Sequence, residues 1–176
     1  MLTHSSEIIR SLELTSGRVV ADCGCGTGYY TRALADAVAP SGRVYAFDLN
    51  KSLIERISRV MQEEGHTHVY PVWCDLEVPS ATGLRDGVLD ALVCVNVLDH
   101  VANPALVLRE LYRILRSGGR AYIGHAIYAG TDGEKGESIT RMREDIKSLC
   151  CSVGFDHVVD GPSTDEFNYG LIAYRV

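Results

Sequence analysis

The chain has 176 residues and a mass of 19.2 kDa, the size of one domain, and a chain this long buries about 70% of its unfolded surface without help from disulfides or metals. Lys and Arg number 17 against 23 Asp and Glu, for a net charge of −6, which disfavours a nucleic-acid partner because coating phosphates calls for a basic stripe. No run of about 18 apolar residues is present to span a membrane, and the opening MLTHSSEIIRSLEL is not a secretory leader.

Residues 1–17 are expected to form a helical extension to a single domain covering 1–176. Arg18–Ala21 is an apolar run that ends at Asp22 and a glycine cluster. Thr27–Val38 predicts a helix, with Tyr30, Leu34, Ala37 and Val38 at helical spacing before Pro40-Ser41-Gly42. Arg43–Phe47 is a second strand ending at Asp48, and Asn50 is placed to cap a helix carrying Leu53, Ile54, Ile57 and Met61. Val69–Cys74 is a third strand that ends at Asp75. Pro71 marks it as an edge strand, because proline cannot donate to a ladder.

Ala81–Gly87 reads as a connection or a poor helix. Leu89–Val97 is apolar on both faces, as in a covered parallel strand. Pro104 opens a helix with Leu106, Leu108, Leu111, Ile114 and Leu115, stopped by Ser117-Gly118-Gly119. Arg120–Ile123 is a fifth strand, followed by a glycine-bearing loop at Tyr128–Gly136 and a helix over Ser138–Val153. Phe155–Asp160 and Phe167–Val176 close the chain. The turn between them is too short for a crossover helix, so they are expected to pair antiparallel. The alternation of strands and helices predicts an α/β fold: a doubly wound, mostly parallel seven-stranded Rossmann-like sheet with a C-terminal antiparallel hairpin strand.

The six cysteines lie mostly inside apolar runs, and the opening residues are not expected to act as a leader. Reduced thiols in a cytoplasmic protein are the better expectation than a disulfide framework. Cys23-x-Cys25 and His66-x-His68 lack the second half of a zinc site, so no metal is expected.

In an open parallel sheet, ligands bind outside the carboxyl ends of the strands. The residues there are Asp22, Asp48, Asp75, Asn96 to His100, and His125. The segment Asp22-Cys-Gly24-Cys25-Gly26-Thr-Gly28 lets the backbone turn tightly and approach a ligand, at the positive end of the helix that follows. A nicotinamide dinucleotide is disfavoured: the third glycine of G-x-G-x-x-G falls at Tyr29, and no Gly-Lys-Ser/Thr of a Walker loop follows. The turn suits a nucleoside with little or no phosphate. Asp48, 26 positions after Asp22, is placed to accept both hydroxyls of a ribose. Asp75, beside Leu76, is placed to hold an adenine amino group.

With these residues in view, the sequence resembles the class I S-adenosylmethionine-dependent methyltransferases. VVADCGCGTGYYT is similar to the family's first motif, YAFDLN to the second with its ribose-binding acid, and CDLEVP to the third. LDALVCVNVLDHVANPALVLRELYRILRSGGRAYIG is similar to the fourth strand, helix and Gly-Gly turn of the small-molecule and quinone branch. The match covers roughly Ser16 to Gly124. The resemblance implies S-adenosyl-L-methionine as cofactor. Asp22, Gly24, Cys25, Gly26, Gly28 and Tyr30 would lie at its methionine end, Asp48 and Leu49 at the ribose and adenine, Asp75 and Leu76 at the adenine edge, and Asn96 and Val97 beside the methyl.

The implied reaction is in-line displacement at the sulfonium methyl, in which the protein aligns the reactants and excludes water. A base is needed only where the acceptor must lose a proton, and Asp99, His100 and His125 are the candidates. Asn/Asp-Pro-Pro-Tyr is absent after the fourth strand, against methylation of exocyclic base amines, as is the Pro-Cys pair of cytosine C5 chemistry. A small-molecule acceptor is expected, ahead of protein or RNA. With a short stretch before Arg18 and a short loop after the fifth strand, the site is expected to be either open to a large acceptor or closed by a second copy or a partner subunit. A non-catalytic cofactor-binding module is the alternative reading of the same motifs.

Overall fold

A computed structural model describes residues 4–126, 135–163 and 168–176. Seven strands, β1 (Val19–Cys23), β2 (Arg43–Asp48), β3 (Val69–Trp73), β4 (Leu89–Val95), β5 (Leu115–Ala126), β6 (His157–Asp160) and β7 (Asn168–Arg175), form one sheet in the order β3-β2-β1-β4-β5-β7-β6. Strands β1 to β5 pair parallel, while β7 runs antiparallel between β5 and β6. Strand order reverses between β1 and β4, which opens a crevice at their carboxyl ends.

Helices α1 (His4–Ser11), α2 (Tyr29–Val38) and α3 (Lys51–Glu63) cover one face, and α4 (Pro104–Ile114) and α5 (Lys135–Val153) the other. Ile8, Leu34, Val38, Ile57 and Met61 pack on Val20, Val44 and Val93 on the first face. Leu108, Leu111, Cys150 and Phe155 pack on Leu92, Cys94, Ile123 and Leu171 on the second. Among the described residues no helix is long and apolar enough to cross a membrane.

Local chemistry sets the boundaries. Asn50 caps α3 by accepting from the Ser52 and Leu53 amides, and Asn103 caps α4 ahead of Pro104 at its first turn. Arg175 of β7 closes the other end of α4, donating to the carbonyls of Tyr112, Arg113 and Leu115 with its guanidinium over the Tyr112 ring. As expected, β3 is an edge strand. Val44 N donates to His68 O and Cys74 N to Asp48 O, so the even positions of β3 face β2 and Pro71 points outward, where its missing donor breaks no ladder bond.

Of the two readings of Ala81–Gly87, a connection or a poor helix, the connection forms: the β3–β4 crossover is a chain of turns. It is fixed instead by the buried Glu110 of α4, whose carboxylate accepts the Ser80 amide, the Thr82 hydroxyl and two nitrogens of Arg113. Arg113 in turn holds Leu84 O and Asp86. A side chain thus does the fastening that repeated helical hydrogen bonds do elsewhere, which leaves no periodicity to read. Strand β5 starts at Leu115, and Arg116 to Gly119 bulge out of its pairing with β4. Helix α5 begins at Lys135, ahead of Ser138. The loop expected at Tyr128–Gly136 lies mostly outside the described residues, as does Phe167, the expected start of the last strand.

Candidate functional site

Strand β1 leads directly into the glycine turn. Gly24, Gly26 and Gly28 have φ of +81°, +53° and +88°, a region that side chains disfavour. A Cβ on Gly24 would collide with Val97 Cγ2, so this glycine permits close approach of the two loops. A Cβ on Gly26 would meet nothing within 4 Å; the open crevice lies off this residue. The amides of Gly24 and Cys25 both donate to Phe47 O, at 2.8 and 2.9 Å, and lock the turn to the end of β2.

Asp48 is the last residue of β2. Its Oδ2 accepts the Gly26 amide at 2.9 Å and its Oδ1 the Asn50 amide at 2.8 Å. Two fixed donors aim the carboxylate, and each oxygen keeps a lone pair for a ligand hydroxyl. Next to it Leu49 is 64% exposed, and its carbonyl accepts the indole N–H of Trp73 at 2.8 Å. Asp75 Oδ1 accepts the Glu77 amide, Leu76 is buried, and Glu77 ties the segment to the start of α4 through the Asn103 amide. Asn96, directly after β4, is in the left-handed conformation, φ 56°, with its amide on Gly124 O. Val97 follows it against Gly24. Tyr30 is partly buried against the α2 face of the core, edge-on to the exposed Tyr29.

Asp22 differs from expectation. It lies inside β1 rather than after it, is 1% exposed, and its Oδ2 accepts the Thr31 hydroxyl of α2 at 2.6 Å. It therefore sits beneath the glycine turn, joining strand to helix, and does not form the crevice wall. Burial pushes its carboxyl up to about 6 against the Thr31 hydrogen bonds, with the Asp48 charge adding to the rise. Burial likewise pushes the Cys25 thiol up, which makes it a poor nucleophile.

The three base candidates come together at the carboxyl ends of β4 and β5. Asp99 and His100 occupy the turn after β4, and His125 lies near the end of β5. Asp99 Oδ2 is 3.5 Å from His100 Nε2 and 3.2 Å from His125 Nδ1. His100 is open to solvent, whereas the His125 side chain is 13% exposed. Despite the 3.2 Å separation, His125 Nδ1 makes no hydrogen bond, because the ring is off line. Tyr169 of β7, directly opposite in register, stacks on the His125 ring at 5.8 Å and 22°. Sequence reasoning missed Tyr169 and Thr31, because both enter through strand register or helix packing. Trp73 had a legible signal, a sole tryptophan at a strand's carboxyl end.

The methyltransferase domain family model matches residues 21–123. Demethylmenaquinone methyltransferase of Anoxybacillus flavithermus is 30% identical over 115 residues, which are 65% of this chain and 47% of that protein. Ubiquinone biosynthesis O-methyltransferase of Methylococcus capsulatus is 28% identical over 116 residues, 66% of this chain and 46% of that protein. The chain thus spans about half the length of these relatives. The crystal structure of a SAM-dependent methyltransferase from Aquifex aeolicus shares the fold, with a TM-score of 0.77 at 19% identity over 96% of this chain and 88% of that one. With the glycine turn, the acid ending β2 and the reversed last strand all in place, the chain belongs to the methyltransferase domain family, in the class I S-adenosylmethionine-dependent group.

Proposed function

We propose that the crevice between β1 and β4 holds S-adenosylmethionine, and that the chain directs its methyl group to a small-molecule acceptor. The observation that carries this reading is the Asp48 carboxylate, held by the Gly26 and Asn50 amides at the lip of the open space off Gly26. A diol-binding acid that is already oriented, next to backbone free of side chains, fits an unphosphorylated ribose. The cofactor supplies the electrophilic methyl. Asp48 would grip the ribose, Leu49 and Leu76 would flank the adenine and Asp75 its amino edge. The glycine turn with Asn96 and Val97 would border the methionine end, while Asp99, His100 and His125 face the acceptor. Two relatives named for quinone methylation support a small organic acceptor over a macromolecule.

Trp73 is the only tryptophan and touches the residue after Asp48, so its fluorescence gives a direct titration with S-adenosylhomocysteine. Asp48→Ala removes two charge-assisted hydrogen bonds to the sugar, each worth about 1.5–3 kcal/mol, and is expected to weaken binding 100-fold or more. NADH is expected not to bind. Unchanged affinity in Asp48→Ala, with its melting temperature also unchanged, would reject the ribose assignment.

A further inference from the structure

A bound methyl donor leaves open what kind of atom receives the methyl group. Resting on the function proposed for the crevice, we infer that the acceptor is a hydroxyl, of the phenol or enol class, and that His125 takes its proton while Asp99 and Tyr169 position the ring.

The geometry separates the roles. Asp99 Oδ2 lies between two imidazoles, the exposed His100 and the enclosed His125. Only His125 is held on a face: the Tyr169 ring stacks on it from the neighbouring strand, in a pair fixed by backbone register. A small rotation of His125 brings Nδ1–H onto Asp99 Oδ2. That hydrogen bond fixes the tautomer, leaves Nε2 as the basic nitrogen and stabilises the imidazolium once it forms. The buried Nδ1 has no hydrogen-bond partner and lies 3.2 Å from Asp99 Oδ2, so that rotation is all it needs to gain one.

A carboxylate–imidazole pair is redundant for a neutral amine, which attacks with a lone pair it already has. A hydroxyl gains greatly in nucleophilicity by losing its proton. As the hydroxyl oxygen attacks, the oxygen–carbon bond forms and the carbon–sulfur bond breaks. Sulfur keeps the electron pair, and the hydroxyl proton passes to His125 Nε2. The resulting imidazolium pairs with Asp99, beside His100 at the solvent edge. The other groups around the ring leave this assignment intact. Burial, followed by the Asp99 charge, raises the Tyr169 phenol so that it stays neutral, and burial raises the nearby Cys94 and Cys150 thiols.

The test reads ionisation directly as well as turnover. With the protein loaded with S-adenosylhomocysteine, 4-nitrophenol and a series of less acidic phenols are titrated, and the phenolate absorbance of the bound form is recorded against pH. The bound phenol is expected to ionise at lower pH than the free one, an effect lost in His125→Asn and reduced in Asp99→Asn. Tyr169→Phe, which keeps the stacking face, is expected to preserve the ionisation profile. Tyr169→Leu is expected to flatten it while a pre-ionised phenol restores activity. With S-adenosylmethionine, His125→Asn is expected to slow transfer to weakly acidic phenols by about 100- to 10,000-fold and to spare phenols already ionised in solution. If the cofactor binds normally but no phenol binds, or if ionisation and rates are the same in His125→Asn, the hydroxyl assignment is overturned and the cofactor site stands. Failure of the cofactor itself to bind removes both.

Discussion

Replacing Asp22 by asparagine tests the electrostatics beneath the glycine turn. The wild-type carboxyl titrates near 6 in the fold against an ordinary value of 3.8, chiefly because burial disfavours its charged form. A rise from 3.8 to about 6 corresponds to about 3 kcal/mol of differential interaction between the two protonation states. The folded state binds this proton more tightly than the unfolded chain does. Its contribution to stability is therefore complete below pH 3.8 and is lost as pH rises through about 6. The substituted amide carries no charge at any pH, and its oxygen can still accept the Thr31 hydroxyl. The Asp22→Asn variant is thus expected to gain on the wild type between about pH 4 and pH 7, by up to about 3 kcal/mol. Urea unfolding of both proteins at half-unit pH intervals, with reductant present for the free thiols, measures the difference. A difference that stays flat with pH, or one that favours the wild type increasingly toward neutrality, refutes the argument.

Two glycine substitutions should separate fold from binding. Gly24→Ala meets Val97 as well as an unfavourable φ, and thermal unfolding is expected to show a loss of about 1–3 kcal/mol. Gly26→Ala has open space around it, so its cost is the backbone term alone, about 1–2 kcal/mol, yet its methyl enters the crevice and calorimetry should find no binding of S-adenosylhomocysteine. Glu110→Ala leaves Arg113 without its buried partner and releases the turns of the β3–β4 crossover; urea unfolding is expected to register about 3–5 kcal/mol of destabilisation. Burial raises the Glu110 carboxyl, but hydrogen bonds from Arg113, Thr82 and the Ser80 amide outweigh it and hold it below the usual carboxylate range. This contribution is present above the unfolded value and is lost as pH falls through the depressed one, so the gap between wild type and variant should narrow in acid.

What was legible in the sequence is what local chemistry decides. Asn50, Pro104 and Pro71 announce two helix starts and an edge strand, because a cap or a missing donor acts within a few residues. The glycine turn and Asp48 are equally local, lying on either side of one helix. The crossover at Ala81–Gly87 was ambiguous because its order comes from Glu110 and Arg113, far downstream in the chain. Asp22 could be placed but not aimed: the same strand end can point a carboxylate to the crevice or to the core, and Thr31 decides. Tyr169 was invisible for a related reason. Its importance depends on register across two antiparallel strands far apart in the chain, and nothing in the segment NYGLIAYR marks which residue meets His125.

The strand order divides labour from left to right. Residues assigned to the nucleoside follow β1, β2 and β3 at one side of the sheet, while those assigned to the incoming nucleophile follow β4 and β5 and sit on β7 at the other. Changes beyond Val97 can therefore retune which compound is modified while leaving the residues proposed to hold the donor in place. A chimera that keeps everything up to Val97 and borrows the remainder from a relative would inherit the proposed donor pocket here and its selectivity from elsewhere.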